Sequence, residues 1–126
     1  MPWTAGLHEE LPIIEMCYAG VVTESELAEA VRESRRLAAD RHTVLVLADC
    51  SAMTKGPSAE AQKRVADSYA SDRSGSPLRR ALVLPVGQAA VVDVLMWETL
   101  CLQRGVTVRL FKARESAIEW LLRPSS

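Results

Sequence analysis

Apolar positions along the chain follow two rhythms in turn, short runs with the period of a strand and longer ones with the period of a helix. Pro12–Gly20 (PIIEMCYAG) is rich in β-formers and closes on a glycine, and Trp3–His8 reads as a partner strand joined to it through Glu9-Glu10-Leu11-Pro12. Thr23-Glu24-Ser25-Glu26 has the spacing of a capping box, in which the threonine hydroxyl and the last carboxylate each satisfy a free amide at a helix start. Leu27, Val31, Ser34 and Leu37/Ala38 follow on one helical face, with Glu24, Glu29, Arg32, Glu33, Arg35 and Arg36 mainly off it. This predicts a helix ending near Asp40.

Thr43–Ala48 (TVLVLA) is a continuous β-branched and apolar run, the pattern of a central strand buried on both faces. Asp49–Pro57 carries the small polar residues and Gly-Pro pair of a loop. Ser58 then caps a second helix with Ala61, Val65 and Tyr69 on one face, and Asp72–Ser76 with Pro77 makes the most polar loop. Arg80–Val86 is a strand, with Pro85 near its end where a missing amide does least harm. Gln88–Arg104 is the longest apolar helix, stopped by Gly105. Its polar members Asp93, Glu98, Thr99 and Gln103 do not gather on one face, so it is expected to be buried on several sides. Val106–Phe111 closes the strands and Arg114–Leu122 is a final helix before Arg123-Pro124.

The order β(β)αβαβαβα predicts one α/β domain over residues 1–126, with a mostly parallel sheet of four to five strands and about four helices. The strands ending at Asp49, Val86 and Phe111 should pair in parallel, because the segments between them are long enough for helical crossovers.

Composition narrows the function classes. With 15 basic and 16 acidic residues the formal charge is −1, so the chain lacks the basic excess that phosphate binding needs, and nucleic acid is not an expected partner. At 48% hydrophobic and 25% charged, 126 residues are enough for an ordinary core without disulfides or metal. Cys17, Cys50 and Cys101 are widely spaced and odd in number, which signals neither a disulfide framework nor a zinc cluster and fits reduced thiols in the cytoplasm. The first twelve residues do not resemble a secretion signal. No apolar run reaches the roughly 18 residues of a membrane span.

Catalytic motifs are missing: no phosphate-binding glycine loop, nucleophile elbow or HExxH. His8 and His42 read as solvated side chains rather than general bases, which leaves a serine or cysteine nucleophile without a proton acceptor. No cofactor or metal is called for. Asp49-Cys50-Ser51, with Lys55 nearby, follows a buried strand at its carboxyl end, where open α/β sheets place their crevices. The alternative is a turn in which Asp49 and Ser51 cap backbone groups. Lys55 would lower the pKa of Cys50 if the two approached in that loop. Val86-Gly87-Gln88 is a strand-to-helix turn with amides that could meet an anion, or a plain tight turn. The apolar helix, with Val91, Val94, Leu95, Met96 and Trp97, is either core or a surface for a second copy of the chain or an apolar ligand.

Tyr18-Ala19-Gly20-Val21-Val22-Thr23, Val44-Leu45-Val46-Leu47-Ala48-Asp49, and Val108-Arg109-Leu110-Phe111 followed by Ala117-Ile118-Glu119-Trp120-Leu121-Leu122 together resemble STAS-like domains. These are related to bacterial anti-sigma-factor antagonists, in the branch compared with CRAL-TRIO lipid-transfer domains. The resemblance implies a small αβ sandwich acting as a protein-binding or small-ligand module without enzymatic activity. In the antagonists a serine next to the strand-ending aspartate is phosphorylated; here Cys50 follows Asp49 and the serine comes one place later, as Ser51. The expected function is a cytoplasmic interaction module that meets a protein partner through Asp49, Cys50, Ser51 and Lys55 and the following helix. Ser51 is its expected point of regulatory modification, and a homodimer forms through the apolar helix. The competing function is binding of a small apolar molecule such as a lipid or fatty acid.

Overall fold

The structure is a computed structural model that describes residues 2–71 and 78–123, without the side chains of residues 70 and 71. The polar loop expected at 72–77, and Pro124, lie outside the described residues. The described residues form β1 (Trp3–Leu7), β2 (Ile13–Val21), α1 (Glu24–Asp40), β3 (Leu45–Lys55), α2 (Ala59–Ser71), β4 (Arg79–Val83), α3 (Gln88–Gln103), β5 (Thr107–Phe111) and α4 (Arg114–Leu122).

The sheet runs in the order β1-β2-β3-β4-β5, with β1 antiparallel to β2 and every later pair parallel. Each parallel neighbour lies one step further in the same direction. Crossovers of one hand must therefore put their helices on one face. Accordingly α1, α2 and α3 pack together over Ile14, Met16, Val46, Ala48, Leu82 and Val108. Helix α4 follows the last strand without a return to the sheet and covers part of the other face, where Ala117 and Leu121 meet Ile13, Leu47, Ala81 and Val83. Strand alternation is what feeds two separate cores from the same four strands.

Local chemistry accounts for the helix starts. Thr23 Oγ1 accepts from the Glu26 amide at 3.3 Å while the Glu26 carboxylate accepts from the Thr23 amide at 2.8 Å, the reciprocal pair expected of the capping box. Ser58 Oγ accepts from the Ala61 amide at 3.2 Å, and Ala61, Val65 and Tyr69 are buried on the face facing the sheet.

Two boundaries differ from expectation. The segment from Asp49 to Lys55 is strand, not loop: β3 pairs with β2 as far as Val21↔Lys55. The register shifts between Cys17 and Ala19 and again between Gly20 and Val21, and Gly20 sits at φ 66, a left-handed conformation that suits glycine. This bulged, non-local pairing overrides the loop-like composition of the segment. Strand β4 stops at Val83, so Val86 is not a strand end and is 91% exposed. Pro85, without an amide, cannot extend the ladder beyond the bond from Leu84 N to Phe111 O at 2.9 Å.

Candidate functional site

The residues singled out after the central strand do not converge. Cys50 points into the helix-covered face and is buried, with Sγ 3.9 Å from the Ala48 carbonyl. Burial, then the nearby Asp49 carboxylate, pushes its thiol up to about 12. That is the opposite of the lowering expected from Lys55, because the strand carries Lys55 into solvent and Cys50 into the core. Asp49 faces the other way and is half-buried; its Oδ1 accepts from the Ser51 amide at 2.9 Å, as a self-satisfying turn would. Ser51 and Lys55 are exposed.

Asp49 belongs to a charged group on the sheet face that α4 leaves open. Arg114, at the start of α4, bonds Glu15 through a short contact and lies 3.8 Å from Asp49 Oδ2. Glu15 in turn is 3.6 Å from His8 Nε2. His8 is half-buried rather than solvated: its Nδ1 accepts from the amides of Glu10 at 3.0 Å and Leu11 at 3.1 Å, which closes the β1–β2 turn. His42 is exposed at φ 54 in the turn after α1. Cys17 lies on the same open face, and its thiol is raised first by partial burial and next by Asp49. The alternation of Glu15 with Cys17 in Ile-Ile-Glu-Met-Cys-Tyr was a legible signal for this face; the arrival of Arg114 from 99 residues away was not.

On the helix-covered face a cavity of about 40 Å³ lies between the sheet and α1, α2 and α3, walled by Val31, Met53, Leu82 and Trp97. Two buried polar side chains reach it. Gln62, 2% exposed, donates through Nε2 to the Pro57 carbonyl at 3.0 Å, while its Oε1 has no partner among the described residues. Arg80, also 2% exposed, donates to the Tyr69 hydroxyl at 2.9 Å and to Ser34 Oγ through a short contact, and stacks 4.9 Å over the Tyr69 ring. Among the described residues no carboxylate pairs with it. Sequence reading passed over both, although Arg80 shares a strand face with Leu82. Gly56 and Asp93 also line the cavity, and Asp93 Oδ2 accepts from the Gly56 amide at 2.7 Å. A Cβ at Gly56 would stand 3.0 Å from Asp93 Cβ, so a larger residue would push this loop and α3 apart by a few tenths of an ångström.

Helix α3 divides cleanly. Ala90, Val94, Trp97 and Cys101 point inward and are buried. Val92, Leu95, Met96 and Leu102 point outward and are 62, 44, 37 and 53% exposed. The residues singled out in the sequence therefore split: Val94 and Trp97 join the core, Leu95 and Met96 face solvent, and Val91 is half-buried between them. The expectation of burial on several sides is corrected, because β5 is an edge strand and, among the described residues, no further element packs on the outer side of α3. Gly87 caps α3 in an extended conformation, φ −79 and ψ 140, without a side-chain bond. Among the described residues no cluster of His, Cys, Asp and Glu could hold a metal, and no helix is long and apolar enough to cross a membrane.

Three crossover helices on one face of a sequentially ordered, mostly parallel sheet, with a fourth helix behind it, define a layered α/β fold. No family model matches the sequence, and no curated protein does. Among solved structures, an uncharacterized protein of the DUF3478 family from Shewanella loihica PV-4, with a SpoIIAA-like fold, superposes with a TM-score of 0.57 at 13% identity. The match covers 94% of this chain and 93% of that one. The chain thus has the SpoIIAA-like, STAS-type fold that the resemblance implied.

Proposed function

We propose that the chain is a non-catalytic interaction module that binds another polypeptide. The observation that carries this reading is the outward face of α3, where Val92, Leu95, Met96 and Leu102 form an exposed apolar stripe along a helix anchored on its other side by Trp97. Such a stripe is what a helix presents to a docking partner. The buried thiols support a non-catalytic role: with pKa values near 12, Cys50 and Cys101 hold almost no thiolate at neutral pH. Ser51 and Lys55, exposed along β3, form a second contact surface in this reading, with Ser51 its point of modification and Asp49 tethering the strand beside it. Working from the cytoplasm, the module recognises its partner by apolar complementarity rather than by charge.

The test compares proteins that co-purify with wild type, Leu95→Glu and Ser51→Glu at matched thermal stability. Loss of a stoichiometric partner with Leu95→Glu is the expected result. An identical set of partners for all three forms, together with a monomeric mass of the wild type, refutes the reading.

A second reading is favoured by Arg80 and Gln62. A buried guanidinium without a carboxylate, beside an unpaired amide oxygen in an apolar cavity, suits a small acid with a short apolar body. The cavity, at about 40 Å³, is far smaller than the roughly 150 Å³ that holds benzene in an engineered protein. A fatty acid therefore needs Met53 and Trp97 to swing aside. Isothermal titration with short-chain carboxylates, against Arg80→Met, checks this; equal heats from both proteins remove the reading.

A further inference from the structure

We infer that the partner seated on α3 is a second copy of this chain, packed helix against helix and antiparallel about a two-fold axis between Leu95 and Met96. This inference rests on the interaction reading above and assigns that surface its occupant. The exposed positions of α3 are Gln88, Ala89, Val92, Leu95, Met96, Thr99, Leu102 and Gln103. Helical periodicity alone makes such a set nearly symmetric in spacing; its chemistry is self-complementary as well. Antiparallel pairing brings Gln88 against Gln103 of the second copy, amide to amide. It sets small Ala89 against large Leu102, and Val92 against its isostere Thr99. Leu95 meets Met96, of similar volume. The Thr99 hydroxyl is already satisfied by the Leu95 carbonyl at 3.1 Å, so an apolar neighbour leaves no unmet bond.

Charge favours the same occupant. A two-fold contact places each residue near its own copy or its symmetry mate, and like charges there repel. The outward face of α3 carries no charged side chain. A membrane-lying helix would instead flank its apolar face with lysine and arginine, and Gln88–Gln103 contains neither. The two acidic residues sit off the stripe: Asp93 is held by the Gly56 amide and Glu98 is half-buried. Antiparallel helices also place opposite dipole ends together. A single pair of 16-residue helices makes a contact about 24 Å long, at the low end of interface sizes, so the dimer should dissociate in the micromolar range.

Sedimentation equilibrium of the full chain from about 1 to about 300 µM, a range that brackets micromolar dissociation, is the first measurement. The mass should rise from 13.8 kDa toward twice that value. Leu95→Glu, on the solvent side of the helix, should remain folded and weaken association by about 100-fold, the loss of one interface anchor. Register is read by cross-linking with a short bis-maleimide in a Cys17→Ser background, where the remaining thiols are buried. Val92→Cys mixed with Thr99→Cys should link, while Val92→Cys alone should not, because its two copies stand seven residues, about 10 Å, apart along the helix. Self-linking of Val92→Cys overturns the antiparallel arrangement. A mass of 13.8 kDa at every concentration overturns the dimer. In that case a partner lost on Leu95→Glu leaves the interaction reading standing with a different occupant, and no such loss removes both.

Discussion

The two faces of the sheet are built from adjacent residues of the same strands, yet they are chemically unlike. On the helix-covered face Met16, Ala48 and Leu82 lie in register across β2, β3 and β4 and are closed over by α1, α2 and α3. One residue further along each strand, Cys17, Asp49 and Val83 lie in register on the other face, where α4 covers Val83 and leaves Cys17 exposed. The first face is mainly apolar and buries Arg80, held by the hydroxyls of Tyr69 and Ser34. The second supports a solvated network of Glu15, Asp49, Arg114 and His8. Residue chemistry along β3 thus says little about a shared site, since alternation sends neighbours to opposite environments.

Substitutions at neighbouring positions test this contrast most sharply. Met16→Ala should lower the unfolding free energy by about 2–5 kcal/mol, the range for emptying a buried site, while Cys17→Ala beside it should change it by less than about 0.5 kcal/mol. Equilibrium urea unfolding reads both, and equal effects would erase the distinction between the faces. The two arginines come next. Arg80→Ala should cost about 2–3 kcal/mol, because it strips the Tyr69 and Ser34 hydroxyls of their buried partner as well as leaving a void. Arg114→Ala should cost under about 1 kcal/mol and should matter less in high salt, since its pairs with Glu15 and Asp49 are partly solvated. An Arg114 effect larger than that of Arg80 would reverse the comparison.

Alkaline pH gives a third measure. The thiols of Cys50 and Cys101 are pushed up to about 12 by burial, whereas the unfolded chain ionises its cysteines near their ordinary values. Above about pH 8.5 the unfolded state therefore sheds protons that the folded state keeps, and stability should fall as pH rises toward 12. Replacing Cys50 and Cys101 by alanine should flatten that decline; an unchanged slope would locate it elsewhere. The smallest effect is kinetic. In native protein at pH 8, Ellman's reagent should titrate Cys17 alone, and Asp49→Asn should speed that reaction, because removing a neighbouring carboxylate favours the thiolate. A slower reaction would show that the two side chains do not share the open face.

The amino-acid sequence by itself determined the order of elements, the parallel pairing of the last three strands and the start of α1. Those depend on local chemistry: a capping box closes on residues three apart, and β-branched runs followed by helical stretches admit few topologies. It also carried the apolar excess of α3, but not the fact that half of that excess faces water. Which side of a helix is covered depends on what lies beyond it, and here that is set by β5 ending the sheet. Asp49–Lys55 has the residues of a loop and the conformation of a strand, since its hydrogen bonds go to β2, some thirty residues earlier in the chain. The same pairing separated Cys50 from Asp49 and Ser51, and the folding-over of α1, α2 and α3 brought Gln62 and Arg80 to one cavity. Tertiary structure decided these points because each is a meeting of residues distant in sequence, and the local pattern of one segment carries no information about the other.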